Sequence, residues 1–253
     1  MRDTPAGEVY LAGNVGGAVL VGDTVRRPTG PWTPAVHALL GHLATRVPHV
    51  PRVRGFDGQG REMLDYLPGR VVDVDTELLT DAQLASVVGW TRGFHAAVVG
   101  FDHPGPWRSL PLPSSTLPSP VLIGHNDIAP YNVCFDGDDL AGVFDWDLSG
   151  PTTPLLELAF IAWNCVPLWR DIGHRAAAHR LAVIASGYGG FHPREVLRAV
   201  PVRIEAMLDG ILRGAAAGDR GMANLMTQGE PERSRTSLAS LVARIPAIDR
   251  YLP

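Results

Sequence analysis

Residues 125–132 read His125-Asn126-Asp127-Ile128-Ala129-Pro130-Tyr131-Asn132, and residues 144–147 read Phe144-Asp145-Trp146-Asp147. The first stretch is a His-x-Asp-x-x-x-x-Asn string, and the second places an acid 18 residues beyond Asp127. An aspartate facing a hydroxyl can take its proton. An amide oxygen one loop turn later, together with a carboxylate on a neighbouring strand, can converge on one cation. Hard Mg²⁺ favours oxygen donors of this kind. A lone His-x-Asp is more often a loop histidine beside a solvated acid. With Asn132 and Asp145 both in place, the pattern points to phosphoryl transfer. The competing reading, a hydrolytic metal site on His125 and Asp127, asks for further compact His and Asp clusters, and the other histidines are scattered.

Outward from this segment, the chain divides into strands first and helices after. GEVYL runs into a glycine-rich turn, Gly13-Asn14-Val15-Gly16-Gly17. AVLV and TVRR flank Gly22-Asp23, a two-residue hairpin signal. Thr33 is expected to cap a helix that begins at Pro34. In it Val36, Leu39, Leu40, Leu43 and Val47 form a one-sided apolar stripe. PRVRGF and REMLDYL form a second hairpin around Asp57-Gly58-Gln59-Gly60. Leu67-Pro68-Gly69 reads as a hinge. Beyond it Thr80 caps a helix, 102–120 is proline-rich loop, and helices are expected at about 155–169, 171–187, 193–216 and 232–249. The fold class is therefore α+β: a small β-rich lobe over residues 1–69 and a larger, mainly helical lobe over 70–253.

Composition narrows the function. The 253 residues are 45 % hydrophobic and 19 % charged, enough to bury a core. Two cysteines exclude a disulfide framework and a zinc ribbon and fit a reduced, cytoplasmic setting. The segment MRDTPAGEVY has no apolar signal core, and the longest apolar run is interrupted by Glu157, Asn164 and Pro167, so no membrane partner is expected. A net charge of −4 argues against nucleic acid. All 22 basic Lys+Arg residues are arginine. Chemistry that depends on lysine is excluded.

The catalytic segment resembles the aminoglycoside phosphotransferase / choline kinase family, which has a bilobal protein-kinase-like fold. HNDIAPYN stands where that family has His-Gly-Asp-x-x-x-x-Asn, and VFDWDLSG stands at its metal motif. LDYLPG is similar to the family's hinge, Phe94-His95 to the Leu-His ending the following helix, and Glu157-Leu158-Ala159 to its Asp-Leu-Ala. The resemblance covers about residues 10–165. It implies ATP and Mg²⁺ as cofactors, Asp127 as catalytic base, His125 holding the catalytic loop, and Asn132 and Asp145 as metal ligands. The nucleotide is expected near Leu64, Tyr66 and Leu67; the turn at Gly16 and Gly17 departs from the family's GxGxxG and reads equally as a backbone cradle for the phosphates or as an ordinary hairpin turn. The implied activity is transfer of the γ-phosphate to a hydroxyl of a small molecule, an antibiotic such as an aminoglycoside being one class; the oligomeric state is open. Protein substrates are disfavoured, because Ser149-Gly150-Pro151 runs into helix with no activation segment.

The N-terminal lobe departs from the family. Arg26 or Arg27 must replace the usual strand lysine; Arg26 is preferred by its offset from Val25, and arginine can grip phosphate bidentately. Thr24 to Phe56 contains no acid to orient it. His37 sits near the missing glutamate, and a more distant acid such as Glu62 could serve. Without nucleotide, the inward arginine is expected to be mobile. Asp147 reads as a second metal ligand or a surface acid, with a structural or peripheral role favoured, and Trp146 and Trp163 are assigned to the core. The alternative function is a catalytically weak, kinase-like binding protein, since the GDTVRRP and HND segments also resemble a toxin-immunity branch.

Overall fold

Alternating short strands closed by glycine turns build the N-terminal part. In the computed structural model, which describes residues 8–11, 17–108 and 120–253, strands β1 (Val9–Tyr10), β2 (Val19–Val21), β3 (Thr24–Arg27), β4 (Val53–Phe56) and β5 (Glu62–Asp65) form one antiparallel sheet in the order β1-β2-β3-β5-β4. The Gly22-Asp23 hairpin forms as expected, with Gly22 at φ +61°, a conformation glycine adopts without steric cost. In the β3–β5 register, Arg27 lies opposite Glu62.

Helix α1 (Thr33–Leu43) begins one residue earlier than expected. Thr33 lies inside it, buried, and its hydroxyl accepts from the Gly30 N–H instead of capping the helix. Val36, Leu39, Leu40 and Leu43 are buried along α1 as read, whereas Val47, also buried, lies beyond the end of the helix that was expected to carry it.

The helical part contains α2 (Asp81–Ala97), α3 (Pro154–Cys165), α4 (His174–Tyr188), α5 (Pro193–Ala216), α6 (Arg220–Thr227) and α7 (Glu230–Asp249). Thr80 caps α2 in a reciprocal box with Gln83. Helices α3 and α4 are shorter than the expected 155–169 and 171–187, and α6 has no counterpart among the expected helices. Between them, β6 (Leu122–Gly124) pairs with β9 (Gly150–Thr152), and β7 (Val133–Asp136) with β8 (Asp139–Val143). One core joins α1 to the helices. At its centre Trp146 is fully buried, edge-on to Phe94 at 5.4 Å, with Phe94 stacked on Trp90 at 5.3 Å.

The two parts meet where the chain leaves β5. Arg70 and Phe135 exchange backbone hydrogen bonds at 2.9 and 3.0 Å. A Cβ on Gly69 would sit 2.8 Å from the Cys134 Sγ, so the crossing chain needs glycine there. Cys134 and Cys165 are both free and buried; burial raises both thiols, Cys165 to about 12, which leaves neither nucleophilic. Among the described residues no helix is long and apolar enough to cross a membrane.

Candidate active site

A cleft of about 2240 Å³ runs between the sheet and the helices. The loop after β6 supplies its floor. His125 is fully buried and packs against Trp146 at 4.5 Å. Its Nε2–H donates to the Phe144 carbonyl at 3.1 Å, and its Nδ1 accepts from the Asp127 N–H at 3.3 Å. Burial holds the imidazole pKa below its ordinary value against the pull of Glu157 and Asp145, so the ring stays neutral and this tautomer is fixed. His125 thus ties the loop to the strand end bearing Asp145; it does not face the cleft.

Asn126 takes a left-handed conformation, φ +66°, which asparagine tolerates better than most residues. Its N–H donates to Glu157 at 2.7 Å, and its amide donates to the Leu148 and Gly150 carbonyls. Its own carbonyl accepts from the Arg203 guanidinium at 2.7 Å. Buried Glu157 also accepts from the His95 Nε2–H at 2.5 Å, and the Tyr188 hydroxyl donates to the other ring nitrogen at 2.8 Å. Burial works against the Glu157 charge, but His95 and the Asn126 N–H outweigh it and hold the carboxyl below its usual range. A Cβ on Gly124 would lie 2.5 Å from this carboxylate, so a larger residue has no room.

With the loop fixed this way, Asp127 opens into the cleft. Its carboxylate accepts from the Asn132 amide at 2.8 Å and from the Tyr131 hydroxyl at 3.3 Å. Burial, and then Asp145 nearby, push its pKa up to about 8 against the opposing effects of Arg203, Asn132 and Tyr131. Asn132 sits in a short 3₁₀ turn, Pro130–Asn132. Asp145 is the residue before a second such turn, Trp146–Leu148, and its φ of +60° turns its half-exposed side chain into the cleft.

Arg27 reaches in from β3. Its guanidinium donates to Glu62 at 2.6 Å, to Asp145 at 2.8 Å and to Asp147 at 2.5 Å. Glu62 in turn accepts from or pairs with the His37 Nε2 at 2.7 Å. Arg27 loses solvation by burial, yet the three carboxylates raise its pKa further; Asp147 is itself raised, burial outweighing Arg27. Arg26 points to the other face of the sheet, 3.8 Å from Asp57. This corrects the preference for Arg26: alternate residues of a strand face opposite sides, and the register that sets Arg27 against Glu62 decides which one turns inward. The expected mobility of the inward arginine is also corrected, since three acids hold it. For Asp147 the structural role fits better than a peripheral one. It lines the cleft and is shared by Arg27 and Arg108, the latter at 3.5 Å.

Gly17, Leu64, Tyr66 and Leu67 line the same cleft, and Gly16 lies outside the described residues. Trp163, buried in the core as expected, also lines it. On the helical side Asp219, Glu230 and Glu232 line the cleft, whereas Glu157 lies under the loop and Asp171, Glu205 and Asp209 are not among the lining residues. Arg108 and Arg203 were not singled out from the sequence. Arg108 clamps Asp219 through two bonds of 2.8 Å and stacks over Trp32 at 4.4 Å. Neither arginine lies in a local motif, and only the tertiary fold brings them to the site.

The oxygen set suits a hard divalent cation. Asp145 offers a half-exposed carboxylate, Asn132 an amide oxygen, and the place between Asp145 and Asp147 already holds a positive group, the Arg27 guanidinium.

A family model described as the phosphotransferase enzyme family matches residues 107–197, which include Asp127, Asn132, Asp145 and Glu157. A trifolitoxin immunity protein of Rhizobium leguminosarum bv. trifolii is 30% identical over 198 residues, 72% of this chain and 74% of that protein. Among solved structures, a choline/ethanolamine kinase family protein from Mesorhizobium loti superposes with TM-score 0.61 at 17% identity, covering 96% of this chain and 92% of that one. The GDP complex of aminoglycoside 2'-phosphotransferase-IIIa superposes with TM-score 0.59 at 16% identity, covering 88% and 89%. These two similarities show a shared protein-kinase-like fold.

Proposed function

The chain belongs to the phosphotransferase enzyme family, and on that premise we propose that it transfers the γ-phosphate of ATP to a hydroxyl group of a small molecule. Residues 1–69 would hold the nucleotide, with its base near Leu64 to Leu67, and residues 70–253 would supply the chemistry and the acceptor site. Asp127 accepts the hydroxyl proton as the oxygen attacks the γ-phosphorus, the bond to the β-phosphate oxygen breaks, and ADP leaves with the electron pair. Asn132 holds the Asp127 carboxylate by its amide N–H and would give its oxygen to Mg²⁺, with Asp145 as the second protein ligand. The bound cation would supply charge neutralisation at the β- and γ-phosphates. Arg27, released from Asp145 and Asp147, would turn its guanidinium to the phosphates while Glu62 keeps its Nε–H.

The observation that carries this reading is the convergence on one cleft of Asp127, Asn132 and Asp145, with Arg27 arriving from the opposite side. It is tested by screening an acceptor library with γ-labelled ATP, wild type beside Asp127→Asn. Label moved by the wild type alone supports it; label moved equally by both, or by neither, overturns it.

The trifolitoxin immunity relative favours a second reading, protection against a toxin by binding. A toxin-sensitive strain expressing either form separates the two. Protection retained by Asp127→Asn means binding suffices, and protection lost with it means the phosphotransfer chemistry protects.

A further inference from the structure

We propose that Arg203, buried on α5, is a positioning residue for Asp127: its guanidinium holds the peptide that joins Asn126 to Asp127 and so aims the carboxylate into the cleft. This inference rests on the phosphotransferase reading and names a further residue that its chemistry needs.

The peptide between Asn126 and Asp127 sets the direction in which the Asp127 side chain leaves the loop. Its two polar groups are held unequally. The Asp127 N–H donates to the His125 Nδ1 at 3.3 Å, a long bond, whereas the Asn126 carbonyl accepts from the Arg203 Nη2–H at 2.7 Å. A charged donor makes the second bond the stronger of the two. The other bonds of the loop fix the His125 ring, the Asn126 N–H and amide, and the Asp127 carboxylate; none of these uses the Asn126 carbonyl. Arg203 is itself held in place. It is 1 % exposed, its guanidinium lies 4.4 Å over the Phe160 ring of α3, and both residues line the cleft.

The arginine is costly where it stands. Among the described residues its Nε and Nη1 have no hydrogen-bond partner. Burial outweighs the attraction of Asp127, Glu157 and Tyr131 and pushes its pKa down to about 10; Asp127 is the largest of the three opposing influences, which puts the charge close to the base it serves. A buried guanidinium with unmade hydrogen bonds lowers stability relative to an apolar side chain of similar length. One bond made against two unmade does not favour it. Stability given up beside a reaction centre points to function.

The test compares the full-length wild type with Arg203→Met and Arg203→Lys, using ATP and Mg²⁺ with water in the acceptor's place. Methionine matches the arginine stem and removes the charge and the bond. Glu157 still keeps His95 and the Asn126 N–H, and Asp127 keeps Asn132 and Tyr131. The methionine variant should melt within about 4 °C of wild type. Its amide hydrogens over 125–132 should exchange at least about tenfold faster in nucleotide-free protein, with the core helices unchanged. Its kcat for ATP hydrolysis should fall about 10²-fold with the KM for ATP within about twofold, the effect of a base misplaced by about 1 Å. Arg203→Lys keeps a charge and a donor and should recover about tenfold of that loss. Wild-type exchange over 125–132, wild-type kcat, or a lysine variant no better than the methionine one overturns the inference. So does a melting temperature far below wild type with exchange raised throughout the core, which would make Arg203 a structural residue only. If the wild type neither binds AMP-PNP nor hydrolyses ATP, it is the phosphotransferase reading that fails, and the exchange comparison still decides whether Arg203 holds the Asp127 peptide.

Discussion

The loop at 125–132 and strand β3 at 24–27 both deliver a charged side chain to the cleft, but by different means. The loop is pinned from beneath by buried bonds: His125 to Phe144, Asn126 to Glu157, and Glu157 to His95. None of these uses a group that the reaction needs. Arg27 is held by Asp145 and Asp147, one of which is a proposed metal ligand, and only Glu62 holds it from outside the reacting set. A base must be in position before substrate arrives, and buried hydrogen bonds do that. A phosphate-gripping cation must change partners when nucleotide and metal enter; of the three acids on Arg27 only Asp145 is half-exposed, which leaves it open to exchange while buried Glu62 stays in place.

Substitutions can break this contrast, and the largest effect belongs to the loop. Asp127→Asn should lower acceptor phosphorylation about 10²–10⁴-fold while leaving ATP affinity and melting temperature nearly unchanged. A parallel loss of ATP affinity would mean that the loop is organised by nucleotide after all. Asp145→Ala should remove the Mg²⁺-dependent part of the thermal shift given by ATP, and Asp147→Ala should remove less of it, because Asp147 is not a proposed metal ligand and Arg27 keeps Glu62. The opposite ranking would make Asp147 the metal-side carboxylate.

Smaller effects sharpen the comparison. Arg27→Ala should weaken ATP and ADP together by about 1.5–3 kcal/mol in calorimetric titration, the scale of a charged hydrogen bond. Arg26→Ala should be almost silent toward nucleotide, because its side chain lies on the sheet face away from the cleft, beside Asp57. Glu157→Gln should cost about 1–3 kcal/mol of unfolding free energy in urea near neutral pH. Its carboxyl pKa is depressed in the folded state, so its contribution is present above the unfolded-state value and is lost as pH falls through the folded-state value. The variant should therefore lose stability less steeply than wild type on the acid side of pH 5, and equal slopes would show that Glu157 does not fold ionised.

The loop at 125–132 was legible in the sequence because its pattern is local: the proposed base, its amide partner and the supporting histidine fall within eight consecutive residues. The hairpins were legible because glycine marks their turns. The inward arginine was not, since Arg26 and Arg27 differ only in which face they take, and pairing with Glu62, 35 residues away, fixes that. Helix α6 escaped because Gly218, Gly221 and Gly229 in and around its eight residues suppress helical propensity. Asp219 compensates by accepting from the Gly221 and Met222 N–H groups, and Arg108 anchors it. The roles of Arg108 and Arg203 depend wholly on tertiary approach.

Placing an arginine where β3 enters the cleft also changes how the protein can be labelled. Nucleotide analogues with an acylating or sulfonylating arm are built to modify a side-chain amine beside the phosphates. The chain has no lysine, and the group proposed to meet the phosphates is a guanidinium whose proton three carboxylates hold more tightly still. In a survey of nucleotide-binding proteins by amine-directed capture, this protein would pass unmarked even with its cleft fully loaded. A dicarbonyl reagent selective for arginine, blocked by prior addition of Mg²⁺-ATP, would be the label that finds it.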